Sequence, residues 1–276
     1  MFYGIRYPLY RKRRNLHRPP IRLYWWYDDN INNFGDLVSR DIILNLFGYN
    51  TEWAPPHTCD LLAAGSILEI AQQYERDTDF YVWGSGFIRA SSNNHNLTHV
   101  IFKAVRGNKT YHILKLKKNS CPTGDPGILI NVTYSLKKDP SSSKIGIVIH
   151  YADSETKFAK KVRNDPRFTM INPLDSPENV AKAISKCGLI LSSSLHGLIF
   201  ADSLSIPNAH IRISDNITGG TFKFQDYCSG VGKPYLTADP NKVFDNDYLE
   251  QIKRSYKPIP HLIKKQKALV KAFPFK

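Results

Sequence analysis

Residues 189–202, L-I-L-S-S-S-L-H-G-L-I-F-A-D, put three hydroxyls and one imidazole directly after an apolar run. Ser192, Ser193 and Ser194 lead into Leu195, His196 and Gly197, and a second apolar stretch follows. The pattern predicts a buried strand, a tight turn and the opening of a helix. In open α/β sheets, ligands sit outside the carboxyl ends of the strands. A helix N-terminus at such an edge offers free N–H groups that attract phosphate or carboxylate. His196 is then placed to move a proton, and the backbone at Ser194, Leu195 and Gly197 to hold an anion. Read alone, the serines are plain caps and His196 a polar first-turn residue. Other strand ends in the chain carry matching groups, and these favour the chemical reading.

His150 closes the apolar run 145–149, with Asp153 three residues on, and Lys223 follows Gly219-Gly220. In the first half, Asn33-Phe34-Gly35-Asp36 stands between a strand pattern and a helix pattern. A glycine there lets a ligand approach the backbone, although Asp36 also suits a helix start through the macrodipole. Gly84-Ser85-Gly86 is a second glycine-rich strand end without the full dinucleotide fingerprint. Arg106, before Gly107, could grip a carboxylate or phosphate with two parallel hydrogen bonds. Each residue has a bland reading as a hydrogen-bonded strand end or an exposed helix residue. The second-half groups together supply two imidazoles, a carboxylate, an ammonium and a helix N-terminus, a set suited to proton transfer on an anionic substrate.

Such convergence needs parallel strands. Apolar runs at 21–27, 61–65, 80–83 and 99–105 alternate with helical patterns at 36–47, 67–74 and 108–116. Residues 121–130 predict a loop leading into a short strand. The polar, turn-rich stretch 136–144 predicts a linker. A second alternation follows, with strands at 145–149, 168–171, 189–191 and 210–213, and helices at 155–163, 177–186 and 196–204. Residues 221–228 are compatible with a further helix, and helices interrupted by Pro258 and Pro260 are expected beyond 239. The expected class is α/β, with two Rossmann-like domains facing a cleft. The expected divisions are a basic arm (1–20), an acceptor-side domain (21–138), a donor-side domain (139–238) and a helical segment (239–276). No internal sequence repeat is visible.

The chain of 276 residues is 42% hydrophobic and 12% aromatic, ample for such a core. No apolar run approaches the roughly 20 residues of a membrane span. The first 22 residues lack the apolar centre of a secretory signal, which predicts a cytoplasmic protein. Four scattered cysteines lack zinc or disulfide spacing, and the sequons at Asn96, Asn108, Asn131 and Asn216 are too short a pattern to count. Lysine and arginine number 38 against 24 acids, a net charge of +14. Much of it lies at 11–14 and beyond Lys253, and such an excess suits an anionic partner. A solvated surface and peripheral contact with anionic lipid are both compatible with it. With no helix-turn-helix, zinc finger or RNP pattern, a nucleic-acid partner is not expected.

Eight pieces in order resemble the polysaccharide pyruvyl transferases: N-F-G-D (33–36), A-G-S-I-L (64–68), V-W-G-S-G-F (82–87), R-G-N-K-T (106–110), G-D-P (124–126), I-G-I-V-I-H-Y (145–151), S-S-S-L-H-G-L-I-F-A-D (192–202) and G-G-T-F-K-F-Q-D-Y (219–227). Ile149 departs from the proline expected before His-Tyr, and Ser194 stands where some relatives carry arginine. The resemblance implies a fold similar to the GT-B glycosyltransferases. It implies phosphoenolpyruvate as donor substrate, a saccharide acceptor and a pyruvate ketal as product, without a cofactor or metal. On that basis His196 is the expected general acid, with His150 a further catalytic candidate. Asp36 is expected as base or acceptor ligand. Asn33, Gly35, Arg106, Ser194, Leu195, Gly197 and Lys223 are expected to bind substrate. The basic ends favour a membrane-associated acceptor. Two alternatives stay open: a nucleotide-sugar glycosyltransferase of the same architecture, and a non-catalytic protein that binds an anionic ligand.

Overall fold

A computed structural model describes residues 18–27, 33–90, 99–215 and 217–275. The basic cluster at 11–14, the turn at 28–32, Asn96, Asn216 and Lys276 lie outside the described residues. In the first half, β1 (Ile21–Tyr24), β2 (Thr51–Trp53), β3 (Leu61–Leu62), β4 (Phe80–Trp83) and β5 (Val100–Ala104) form a parallel sheet ordered β2-β1-β3-β4-β5. In the second, β6 (Ile145–Val148), β7 (Phe168–Ile171), β8 (Leu189–Ser192), β9 (Asn208–Ile211) and β10 (Thr237–Ala238) form a parallel sheet ordered β10-β9-β8-β6-β7. Counted from its own first strand, each sheet has the order 2-1-3-4-5. The chain therefore reverses direction across the sheet twice, between β1 and β3 and between β6 and β8. This is the pair of Rossmann-like α/β units expected from the sequence. The repeat invisible in sequence is present in topology.

The helices are α1 (Phe34–Ile42), α2 (Leu68–Ala71), α3 (Asn108–Ile113), α4 (Ile130–Thr133), α5 (Lys157–Arg163), α6 (Pro177–Ser185), α7 (Leu195–Ser203), α8 (Phe222–Val231), α9 (Asn246–Ser255) and α10 (Leu262–Ala272). Strands β6 and β8 are buried at every residue, because helices cover both faces of a parallel sheet. Helix α1 starts where the Asn33 side chain accepts from the N–H groups of Gly35 and Asp36. It buries Val38, Ser39 and Ile42, then widens into a π turn that Gly48 ends in a left-handed conformation.

Two expectations need correction. Residues 126–133 are not a loop and strand but a 3₁₀ turn, Pro126–Leu129, running into α4. Asp125 caps that turn and Pro126 occupies its first position, where a missing N–H costs nothing. Strands β2 and β10, three and two residues long, lie at sheet edges and carry no apolar run to reveal them.

One apolar core passes through both halves, joining Leu23, Phe34 and Val38 to Val148, Ile199 and Phe200. Phe34 meets Phe200 edge to face at 5.0 Å between centroids. After α9, the chain returns to the first sheet. Trp83 donates its indole N–H to the carbonyl of Leu269 on α10 (2.9 Å), and Phe273 stacks on Phe47 at 3.8 Å. The C-terminal lysines are thus carried on packed helices, Lys253 on α9 and Lys264, Lys265, Lys267 and Lys271 on α10. No helix among the described residues is long and apolar enough to cross a membrane.

Candidate active site

The two points of reversal open into one cleft of about 440 Å³, a size typical of small-molecule sites. Trp26, Gly65 and Ser66 come from the β1/β3 side, and His150, Ser194, Leu195 and His196 from the β6/β8 side. Asn33 and Asp36 enter from the start of α1, and Lys223 from the start of α8. Crevices at such reversals are where open α/β sheets bind ligands; here two of them share one space. A larger groove of about 880 Å³ lies at the far end of α7, beside Lys137, Lys138, Lys264 and Lys267. None of the strand-end residues and no carboxylate lines it.

Helix α7 begins at the cleft floor. Its N-cap Ser194 makes no side-chain cap, and Ser192 turns inward instead, accepting from Ser194 N–H (3.0 Å) and donating to the carbonyl of Ser194 (2.8 Å). Leu195 and His196, the first residues of α7, line the cleft, and the helix start carries no side-chain cap. Gly197 is required here because a methyl group would overlap the Ser192 hydroxyl. Gly35 is required because a methyl group would overlap the imidazole of His196. Both glycines lie beneath the site and give its walls their closeness.

His196 is almost wholly buried, between Phe34 and Phe200. Its Nε2 has no hydrogen-bond partner and lies 3.7 Å from Oδ2 of Asp125. Asp125 is fully buried and is held by the N–H groups of Gly127 (2.8 Å) and Gly65 (3.3 Å). A fixed carboxylate behind an imidazole is the arrangement that orients proton-transferring histidines. Burial pushes the Asp36 carboxyl up to about 6, against the opposing pull of His196, Asn33 and Lys223. Burial, then repulsion from Arg106, brings the Lys223 ammonium down to about 8, opposed by Asp36. His150 is lowered to about 4 by burial and by Lys223, so it is neutral near pH 7. Its Nδ1 accepts from Ala152 N–H (3.2 Å), and the backbone N–H of His150 donates to Ser193 Oγ (2.8 Å). Pairs of groups displaced from their usual ranges inside a cleft are characteristic of proton-transfer sites.

Asn33, Asp36, His150, Ser194, Leu195, His196 and Lys223 thus meet in one cleft. Arg106 does not meet them, and the expectation of a donor-gripping arginine is corrected. Its guanidinium is fully buried, with Nε 3.0 Å from Oδ2 of Asp226 and the other nitrogens donating to Ser66 Oγ and the Phe87 carbonyl. Asp226 also accepts from the N–H (2.8 Å) and hydroxyl (2.7 Å) of Thr110. Arg106 therefore clamps α8 of the second unit to the first and reaches the cleft only through Ser66. Asp153 likewise lies inside, accepting from Ser214. Sequence reasoning assigned no role to Asp125, Ser66, Glu69, Arg89 or Trp26. The Asp125-Pro126 pair was a readable cap, and Arg89 lies two residues past the V-W-G-S-G-F strand end. Arg89 pairs with Glu69 (3.4 Å) at the rim, giving the cleft an accessible cation where Ser194 has none.

A family model described as polysaccharide pyruvyl transferase matches residues 3–215. An uncharacterized protein of Acanthamoeba polyphaga mimivirus is 34% identical over 157 residues, 52% of this chain and 55% of that protein. The chain thus matches about half the length of that relative. A crystal structure of a functionally uncharacterized protein from Klebsiella pneumoniae is similar at 13% identity and a TM-score of 0.39, over 83% of this chain and 90% of the other. The family match takes in the cleft residues from Asn33 to His196 and well over half of the sequence; the chain belongs to the polysaccharide pyruvyl transferase family.

Proposed function

We propose that this chain transfers the pyruvyl unit of phosphoenolpyruvate onto two hydroxyls of a saccharide as a ketal, in the assembly of a surface glycan. The observation that carries this reading is the joining of the uncapped N-terminus of α7 with His196, Asp36 and Lys223 in one cleft. The helix N-terminus, Lys223 and Arg89 suit the donor's phosphate and carboxylate. His196 delivers a proton to the enol methylene, which becomes the methyl group and leaves an oxocarbenium-like carbon. One sugar hydroxyl attacks that carbon and gives its proton to Asp36. The carbon–oxygen bond to phosphate breaks, a second hydroxyl closes the ring, and its proton leaves with the phosphate. The proton on Asp36 then returns through solvent to His196, so donor and diol become ketal and inorganic phosphate, with no redox step.

A ligand that binds only the folded state raises the melting temperature by mass action. Phosphoenolpyruvate should give a saturable rise at millimolar concentration, and acceptor turnover should release inorganic phosphate. A rise with nucleotide sugars and none with phosphoenolpyruvate, with or without acceptor, would reverse the assignment of the donor. The pH dependence of kcat/KM offers a second check. Asp36 must be ionised to accept a proton, so the rate should fall as pH drops through about 6. Lys223 must be charged to hold phosphate and His196 protonated to act as acid, so the rate should fall again at alkaline pH, by about 8 at the latest. Lys223→Arg, whose guanidinium stays charged, should remove the lysine's part of that alkaline fall. A flat profile across that interval would remove both roles.

A further inference from the structure

Six large apolar side chains among the described residues are substantially exposed, and four of them are aromatics of the first unit. Trp26 (47% exposed) and Tyr27 (50%) follow β1, Trp53 (45%) ends the adjacent β2, and Tyr74 (45%) follows α2. Singly exposed apolar residues need no explanation, but a contiguous group marks a binding surface. Two of them meet, and Trp26 is the chain neighbour of one: Trp53 lies 6.2 Å from Tyr27 and 6.4 Å from the buried Tyr24 between centroids. The Trp53 indole is pinned by its N–H, which donates to the carbonyl of Trp25 (3.2 Å). Pinning fixes the ring while leaving nearly half of the side chain in water, so little ordering remains to be done when a ligand arrives.

The group adjoins the candidate active site. Trp26 lines the cleft, as does Gln73 next to Tyr74. We infer that Trp26, Tyr27, Trp53 and Tyr74 form a stacking shelf for acceptor sugar rings lying outside the cleft. This rests on the proposed function. A pyranose has an apolar C–H face and a hydroxyl rim. It can lay the face on a fixed aromatic ring and keep the rim hydrated, using the flat, half-wet character of Trp and Tyr. The cleft, at about 440 Å³, has room for the donor and the reacting sugar; Trp53 and Tyr74 stand outside its lining and can serve only neighbouring units.

The test uses the full chain, with glucose, galactose, mannose and N-acetylglucosamine and linear oligomers of each in increasing length. Titration followed by tryptophan fluorescence and calorimetry is run on the native protein, Trp53→Ala and Tyr74→Ala, with the phosphoenolpyruvate melting shift measured in parallel. In at least one series affinity should rise with length. Each substitution should weaken the longer oligomers about tenfold, a loss of about 1.4 kcal/mol, and leave the monosaccharide unaffected. Tyr74→Ala keeps the test open if Trp53→Ala folds poorly. Affinity independent of length, no oligomer binding in any series, or full affinity in both variants would overturn the shelf. So would loss of self-association in Trp53→Ala by sedimentation, which would make this surface a contact between copies. Length-dependent binding without a phosphoenolpyruvate shift supports the shelf and overturns the donor; the reverse pattern overturns the shelf and supports the donor.

Discussion

Arg106→Ala should destabilise the protein by about 3–5 kcal/mol, the cost of leaving one partner of a buried ion pair uncompensated. For a chain of this length that is a fall of about 10 °C in melting temperature. Both side chains are fully inaccessible, so no water can replace the guanidinium against Asp226. The loss also frees the Phe87 carbonyl and Ser66. Arg106→Lys should recover little, because an ammonium cannot span three acceptors in one plane. Replacing both partners with apolar residues of similar volume should restore much of the lost stability. Chemical denaturation of the free protein is the decisive measurement. If Arg106→Ala melts like the native protein and loses only its response to phosphoenolpyruvate, then the arginine is a donor ligand after all.

His196→Ala should lower kcat by about 10²–10⁴, the usual contribution of a positioned proton donor. Donor affinity should change far less, because the backbone at the start of α7 remains. A split of that kind, with kcat lost and binding kept, separates a proton carrier from a residue that merely shapes the cleft. His196→Gln fills the space against Gly35 without carrying a proton, and it should be as inactive as the alanine variant. Near-full turnover in either would remove His196 from the chemistry and leave Asp36 as the first residue to test.

The strands that position the site were legible because both faces of a parallel sheet are covered. Such strands read as unbroken apolar runs, as in residues 145–148 and 189–191. Strand ends next to glycine or serine then pointed to His150, Ser194, His196, Asn33 and Asp36. The same logic failed for Arg106, and the reason is spatial. A methyl on Gly86 would collide with its guanidinium, and one on Gly107 with Asp226, so these glycines open an inward path. The carboxylate that draws the arginine in lies 120 residues away. Nothing local to residues 106–110 records that partner. The helix at 126–133 was missed for a different reason. Its apolar run has no period of its own, and only the cap at Asp125 and the proline after it mark a helical start.

The return of α10 to the first sheet bears on how the chain folds during synthesis. The indole of Trp83 waits for a carbonyl 186 residues later, and Phe47 waits for Phe273. While the ribosome is still adding the second sheet, the first presents an unsealed apolar seam. Domains usually form as units, N-terminal first, and exposed seams of this kind invite aggregation. Contacts of such long range also slow the final closure. An isolated first half should therefore be a poor folder, and its seam closes only once α10 has been made.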